Sequence, residues 1–211
     1  INPEAIQMML KNAALLLAAL NLLSQPALAA NPEWLVKVGA HQVRPDRDNG
    51  SLAGGALKTE VANNIRPTFT VEYFVSDTLG IELLASTPFQ HDFTLNGVGA
   101  GSTKHLPPTL SAQYHFNPSG SVSPFVGAGV NYTHFFQEKT TGPLAGTSLH
   151  FKDSVGLALH AGVDYKLAPN WVATIDARWI QIDTKASVNG AEVGKVNIDP
   201  WVIGGAIGYR F

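Results

Sequence analysis

Seven histidines, His41, His91, His105, His115, His134, His150 and His160, are the residues of this 211-residue chain best suited to hold a metal or move a proton. None lies in a His-Glu-x-x-His arrangement, where two imidazoles one helical turn apart would share a zinc ion. His105 and His150 fall in stretches read as loops, where each offers at most a chance surface contact with a metal. Cysteine is absent, which removes thiolate metal sites, disulfides and thiol nucleophiles. No serine sits in a Gly-x-Ser-x-Gly elbow of the kind that presents a catalytic hydroxyl. The residues therefore point to no enzyme, no cofactor and no metal centre. A lipid-modifying enzyme with its catalytic groups on loops is the one enzymatic alternative.

Charged side chains are the other candidates, and their spacing is informative. Glu72, Glu82, Asp164 and Asp176, with Lys37, Lys166, Arg178 and Arg210, stand at alternate positions inside apolar stretches. Over residues 154–167, Val155, Leu157, Leu159, Ala161, Val163, Tyr165 and Leu167 share one face, and Asp164 and Lys166 lie on the other. A period of two requires an extended strand with one face in an apolar medium. Residues 171–179 and 201–211 repeat it, and weaker copies run near 34–43, 67–75, 79–87, 109–116 and 124–136. Eight strands are about the smallest number that closes into a membrane barrel.

Connections alternate between short links at 76–78, 117–122 and 168–170 and long ones at 45–65, 91–105, 137–152 and 185–198. Asn189-Gly190 is a hairpin signal that extends the last two strands as a ribbon. Periodicity alone does not distinguish this barrel from a soluble barrel or a β-sandwich with the same face inward. Ring placement favours lipid outside: Tyr73, Tyr114, Tyr165, Tyr209, Trp34 and Trp171 gather at the short-turn level, as a membrane–water interface selects. The charges favour it too. Four acids and four bases can neutralise one another in a narrow lumen, whereas lipid would penalise each by about 2–4 kcal/mol at the midplane. The predicted fold is all-β, an eight-stranded antiparallel transmembrane β-barrel with short periplasmic turns and long extracellular loops.

Composition agrees. Lys and Arg total 14 against 16 Asp and Glu, so the clustered basic excess of a nucleic-acid binder is missing. Residues 1–29 read as upstream sequence and a signal peptide, with Lys11, the apolar run 13–23 and the Ala27-Leu28-Ala29 cleavage site. That run falls short of the about 20 apolar residues that span a bilayer. Residues 30–211 are the expected barrel, placed in the outer membrane of a Gram-negative bacterium. Phe211 ends an alternating apolar strand, as in many bacterial barrels, so the expected partners are outer-membrane lipid and the barrel-assembly machinery. A barrel of this size closes as a monomer.

Six motifs occur in order: Thr87-Pro88-Phe89-Gln90-His91, His105-Leu106-Pro107-Pro108-Thr109-Leu110, Pro124 to Tyr132, Lys152-Asp153-Ser154, Ile182-Asp183-Thr184 and Asp199-Pro200-Trp201. Together they resemble the OmpW family of small outer-membrane proteins, from about Trp34 to Phe211. The resemblance implies an eight-stranded barrel with a narrow apolar-lined channel and passive uptake of small hydrophobic solutes. The chain departs from the family pattern at Arg178-Trp179, where members often carry paired aromatics.

Prolines supply a mechanism independently. Pro88 falls late in the third strand and Pro107-Pro108 open the fourth, and a proline has no N–H to donate to a ladder. A weakened seam between these strands is a candidate lateral gate through which an apolar solute leaves into the outer leaflet. Phe89, Phe93, Leu95, Leu106 and Phe135 are the candidate channel mouth. Phe136 reads instead as lipid contact or loop packing. The alternatives are that the prolines only shape a loop, and that the whole is a structural or adhesive barrel with a plugged lumen and no transport.

Overall fold

The computed structural model describes residues 33–46 and 48–211, so the leader read from the sequence lies outside the described residues. Fifteen strands are present among them: β1 (Glu33–Arg44), β2 (Ser51–Leu52), β3 (Leu57–Val61), β4 (Asn64–Phe74), β5 (Leu79–Ser86), β6 (Phe89–Leu95), β7 (Val98–Leu106), β8 (Thr109–His115), β9 (Val122–Thr140), β10 (Leu149–Phe151), β11 (Ser154–Ala168), β12 (Trp171–Ile180), β13 (Asp183–Val188), β14 (Ala191–Asn197) and β15 (Trp201–Arg210). Eight of them, β1, β4, β5, β8, β9, β11, β12 and β15, pair antiparallel with their neighbours, and β8 pairing with β9 closes the ring. This is the eight-stranded barrel that the alternation demands.

The outward face is greasy. Val155, Leu157, Leu159 and Ile175 are exposed, as are Val38, Phe69 and Leu83. The lower ring of aromatics is formed by contacts between neighbouring strands: Trp34 and Tyr73 have ring centres 4.8 Å apart, and Trp171 and Tyr209 have theirs at 5.2 Å. Tyr132 of β9 and Trp201 of β15 are exposed toward the opposite end of the barrel, which bounds a band suited to the hydrocarbon core.

The four long connections are not simple loops. They continue as strands that form a second storey above the barrel, in the order β10-β13-β14-β2-β3-β6-β7-β9. Two Asn-Gly turns make this possible. Asn189 and Gly190 (φ 50° and 84°) close β13 on β14, and Asn96 and Gly97 (φ 50° and 77°) close β6 on β7. Positive φ at both central residues is the geometry whose twist matches paired strands. The second storey shows Lys58, Glu60, Asp92, Lys139 and Lys195 on its exposed surface, so it stands outside the lipid. Its inward residues form a large apolar cluster that runs down to Val43, Ala158, Ile180 and Val202 in the barrel.

Leu159 tests the orientation. Leu159→Arg is expected to lower the folding free energy in lipid vesicles by about 2–4 kcal/mol. Urea titration of vesicle-embedded protein reads that loss, and an unchanged midpoint would mean that this face does not meet lipid.

Candidate functional site

The barrel lumen is layered. At the short-turn end Leu35, Phe74 and Val172 make a small apolar floor. Beside it, Glu33, Asp164, Lys166 and Arg210 line an open vestibule of about 330 Å3. Arg210 bonds Glu33 at 3.1 Å, and Lys166 is exposed. These two bases, expected inside the lumen, therefore sit at its lower rim, because the strands end there.

Above the floor lies a buried ion network. Lys37 Nζ is 3.7 Å from Glu72, 3.9 Å from Glu82 and 3.6 Å from Asp164. Arg178 donates to Glu82 at 2.6 Å and to Asp176 at 2.7 Å. His41 bridges Asp176 and Thr68, and His115 is bonded to Glu72 at 2.9 Å. Gln113 joins Glu72 to His160, and Thr174 donates to Asp164. All of these groups stand at inward positions, and Glu72↔Glu82, Asp164↔Thr174 and His160↔Arg178 are direct cross-strand pairs, so the period of two concentrates them on the axis. Glycines make the room: a Cβ on Gly80 would lie 2.1 Å from Glu72 Oε1, and one on Gly127 would lie 2.3 Å from His160 Nε2. Burying so many charges is tolerable only because each acid meets a cation or a donor.

At the upper edge of the barrel the ladder breaks. β5 pairs with β8 from Leu79↔Tyr114 to Leu84↔Thr109, and pairing resumes between β6 and β7 at Phe89↔His105. Residues 85–88 on one side and 106–108 on the other have no ladder partner across this gap. Pro88, Pro107 and Pro108 all lie in it. Their carbonyls are taken up elsewhere: Arg66 Nε donates to Pro88 at 3.1 Å, Asn131 Nδ2 to Pro107 at 3.0 Å and Pro108 at 3.2 Å, and the Tyr132 N–H to Pro108 at 3.0 Å. The gap is flanked below by exposed Phe69, Leu83 and Leu110.

Directly above the gap is a narrow apolar chamber, lined by residues that include Val61, His91, Phe93, His105, Phe135 and Phe151, whose enclosed end holds about 20 Å3 before it widens into an open mouth. Phe89, Phe93, Leu95 and Phe135 of the expected mouth are buried in the surrounding cluster. Leu106 is only half-buried beside the gap, since alternation turns it away from its inward neighbour His105. Phe136 stacks on His134 at 5.8 Å, outside the chamber. His105, read as a loop residue, is instead in β7 and almost wholly enclosed. Burial disfavours its charged form, and His91 beside it adds to the effect, so its pKa is pushed down to about 3. Among the described residues no group of three or more His, Asp or Glu converges as a metal site.

The OmpW family pattern matches residues 30–211. The chain belongs to the OmpW family. Outer membrane protein W of Salmonella typhimurium is 41% identical over 204 residues, which cover 92% of this chain and 96% of that one. The crystal structure of OprG from Pseudomonas aeruginosa superposes with a TM-score of 0.77 at 33% identity, over 85% of this chain and 95% of that one. The solution structure of outer membrane protein W from Escherichia coli gives 0.63 at 37% identity, over 85% and 97%. This OmpW-family barrel is thus an outer-membrane protein of the Gram-negative type, and relatives and neighbours alike are outer-membrane barrel proteins.

Two residues at the ladder gap are invisible to proline counting. Arg66 and Asn131 act by capping carbonyls, and the only sequence signal is that Asn131 is an inward polar residue in an otherwise glycine-rich strand. His41, His115, His160 and Gln113 complete the ion network, and each falls on the inward face by alternation alone.

Two measurements check this site. Lys37→Met leaves three buried carboxylates short of a cation and is expected to cost about 3–5 kcal/mol of stability, read by denaturant titration in micelles. A loss under 1 kcal/mol would mean that Lys37 is not enclosed with them. His105 is expected to keep the side-chain 15N shifts of a neutral imidazole from pH 8 to pH 5, because its folded pKa lies below that window. Protonation within that range would contradict its burial.

Proposed function

We propose that this barrel passes small hydrophobic molecules from the cell exterior into the outer leaflet by a lateral route. A solute enters the apolar chamber of the second storey, where Phe89, Phe93, Leu95 and Phe135 form the mouth and Leu106 borders the exit. It leaves between β5/β6 and β7/β8 past Pro88, Pro107 and Pro108. The observation that carries this reading is the position of the ladder gap, which lies between the chamber above and the ion network below. Descent along the axis would force an apolar body through Lys37, Arg178 and four carboxylates, which would have to give up partners they cannot replace. Sideways movement meets Leu84, Leu106 and prolines, and it requires no ladder bond to break.

The filled lower lumen also suits a structural barrel without transport, and a flux measurement separates the two. Vesicles whose outer leaflet carries lipopolysaccharide are expected to take up n-octane several-fold faster with the protein than without. The combined Pro88→Ala, Pro107→Ala and Pro108→Ala variant, which restores N–H donors along the gap, is expected to remove most of that gain while remaining folded. Equal uptake with and without the barrel would favour the plugged, structural reading. Acceleration that the variant retains would remove the lateral gate.

A further inference from the structure

The apolar chamber contains polar atoms that hydrocarbon passage does not use. His91 and His105 are 2% and 1% exposed, and their rings lie parallel, with centres 5.0 Å apart and planes 9° apart. His91 Nε2 and both ring nitrogens of His105 have no hydrogen-bond partner in the protein, and neither does Thr59 Oγ1 on the same wall. Buried polar atoms normally find partners, and leaving one without costs about as much as a lost hydrogen bond. Three such nitrogens around one cavity point to a ligand.

Their chemistry narrows it. His91 Nδ1 is bonded to the carbonyl oxygen of Ala62, which can only accept. Nδ1 therefore carries the proton, and Nε2 is left as a bare acceptor that needs a donor from the ligand. Neutral His105 offers one donor and one acceptor. No lysine or arginine lines the chamber, so nothing there would neutralise a carboxylate. A carbonyl or ether cannot donate to His91, and an alkane satisfies neither ring. A hydroxyl does both, since it donates one hydrogen bond and accepts others.

We propose that this chamber is a recognition site for neutral hydroxylated hydrocarbons, of the alkylphenol or alcohol class. His91 accepts the hydroxyl proton in a hydrogen bond, and His105 donates to the hydroxyl oxygen. Phe93, Phe135 and Phe151, packed edge-on and tilted against one another at 5.8–5.9 Å, enclose the apolar body. The inference rests on the chamber being a solute passage, as proposed above, and adds a selection at its head.

The full chain in lipid nanodiscs, labelled with 15N histidine, tests it with 4-ethylphenol, ethylbenzene and 4-ethylbenzoate. With 4-ethylphenol the ring nitrogens of His91 and His105 are expected to shift saturably, at an affinity about tenfold or more above that for ethylbenzene. The benzoate leaves both nitrogens unmoved. His91→Phe and His105→Phe, which keep a flat ring and remove the nitrogens, are each expected to weaken 4-ethylphenol about five- to tenfold and leave ethylbenzene within about twofold. If a variant does not fold, the nitrogen shifts of the unaltered chain decide the same point. Ethylbenzene binding as tightly as 4-ethylphenol would overturn the recognition site and leave the passage standing. If neither compound bound in the chamber, both would fall.

Discussion

A backbone that crosses lipid must satisfy every N–H and C=O within itself, because the hydrocarbon offers no partner. In this barrel the closed ladder from β1 round to β15 meets that demand almost everywhere, and the two-residue alternation follows from it. A break in such a ladder is affordable only where other donors reach the stranded carbonyls. At the gap between β5 and β8 those donors are Arg66 from β4 and Asn131 from β9, both neighbours one strand removed. The prolines and their caps are one device: the first removes donors, and the second prevents their loss from leaving buried acceptors bare.

The same constraint shapes the lumen. A cylinder of eight strands has too little width for water and must be filled with side chains. Here the filling is sorted by height, with apolar groups at the floor, ions through the middle and an apolar cluster at the top. Four carboxylates face two permanent cations, and His41 and His115 each complete an acid that the cations leave partly served. The glycines opposite them are a packing requirement of the ions, since a Cβ at Gly80 or Gly127 would occupy the space of Glu72 or His160.

Much of this was legible from residue types. Alternation in β11, β12 and β15 separated an apolar face from the face that carries Asp164, Asp176 and Arg178, and the level of the aromatic rings together with those charges assigned the apolar face to lipid. The second storey was hidden for a physical reason. Its strands are short, and its outward face meets water and its inward face a small chamber, so residues 91–105 and 137–152 look polar enough to be loops. Asn96-Gly97 was the available signal, equal in kind to Asn189-Gly190, and it makes β6 and β7 a hairpin. The position of Lys166 and Arg210 depends on where strands end in depth, which a period of two does not encode. The unpartnered nitrogens of His91 and His105 depend on three-dimensional closure of β3, β6 and β7 around them, and no local pattern reports that.

The register around the prolines gives the seam its one-sidedness. β7 meets β9 at Leu106↔His134 and β8 meets it at Thr109↔Asn131, so the two positions between on each side keep step and β7–β8 run as one strand along β9. On the other edge four residues, 85–88, oppose three, 106–108, and the register slips by one. A slip of one residue is what a β-bulge absorbs, so the two edges could pair around one bulged residue on the 85–88 side if donors were present. The gap is therefore held open by the missing donors. Since the edge on β9 is intact, separation at the gap leaves the rest of the cylinder paired. That combination breaks the ladder on one edge without a loss of closure elsewhere.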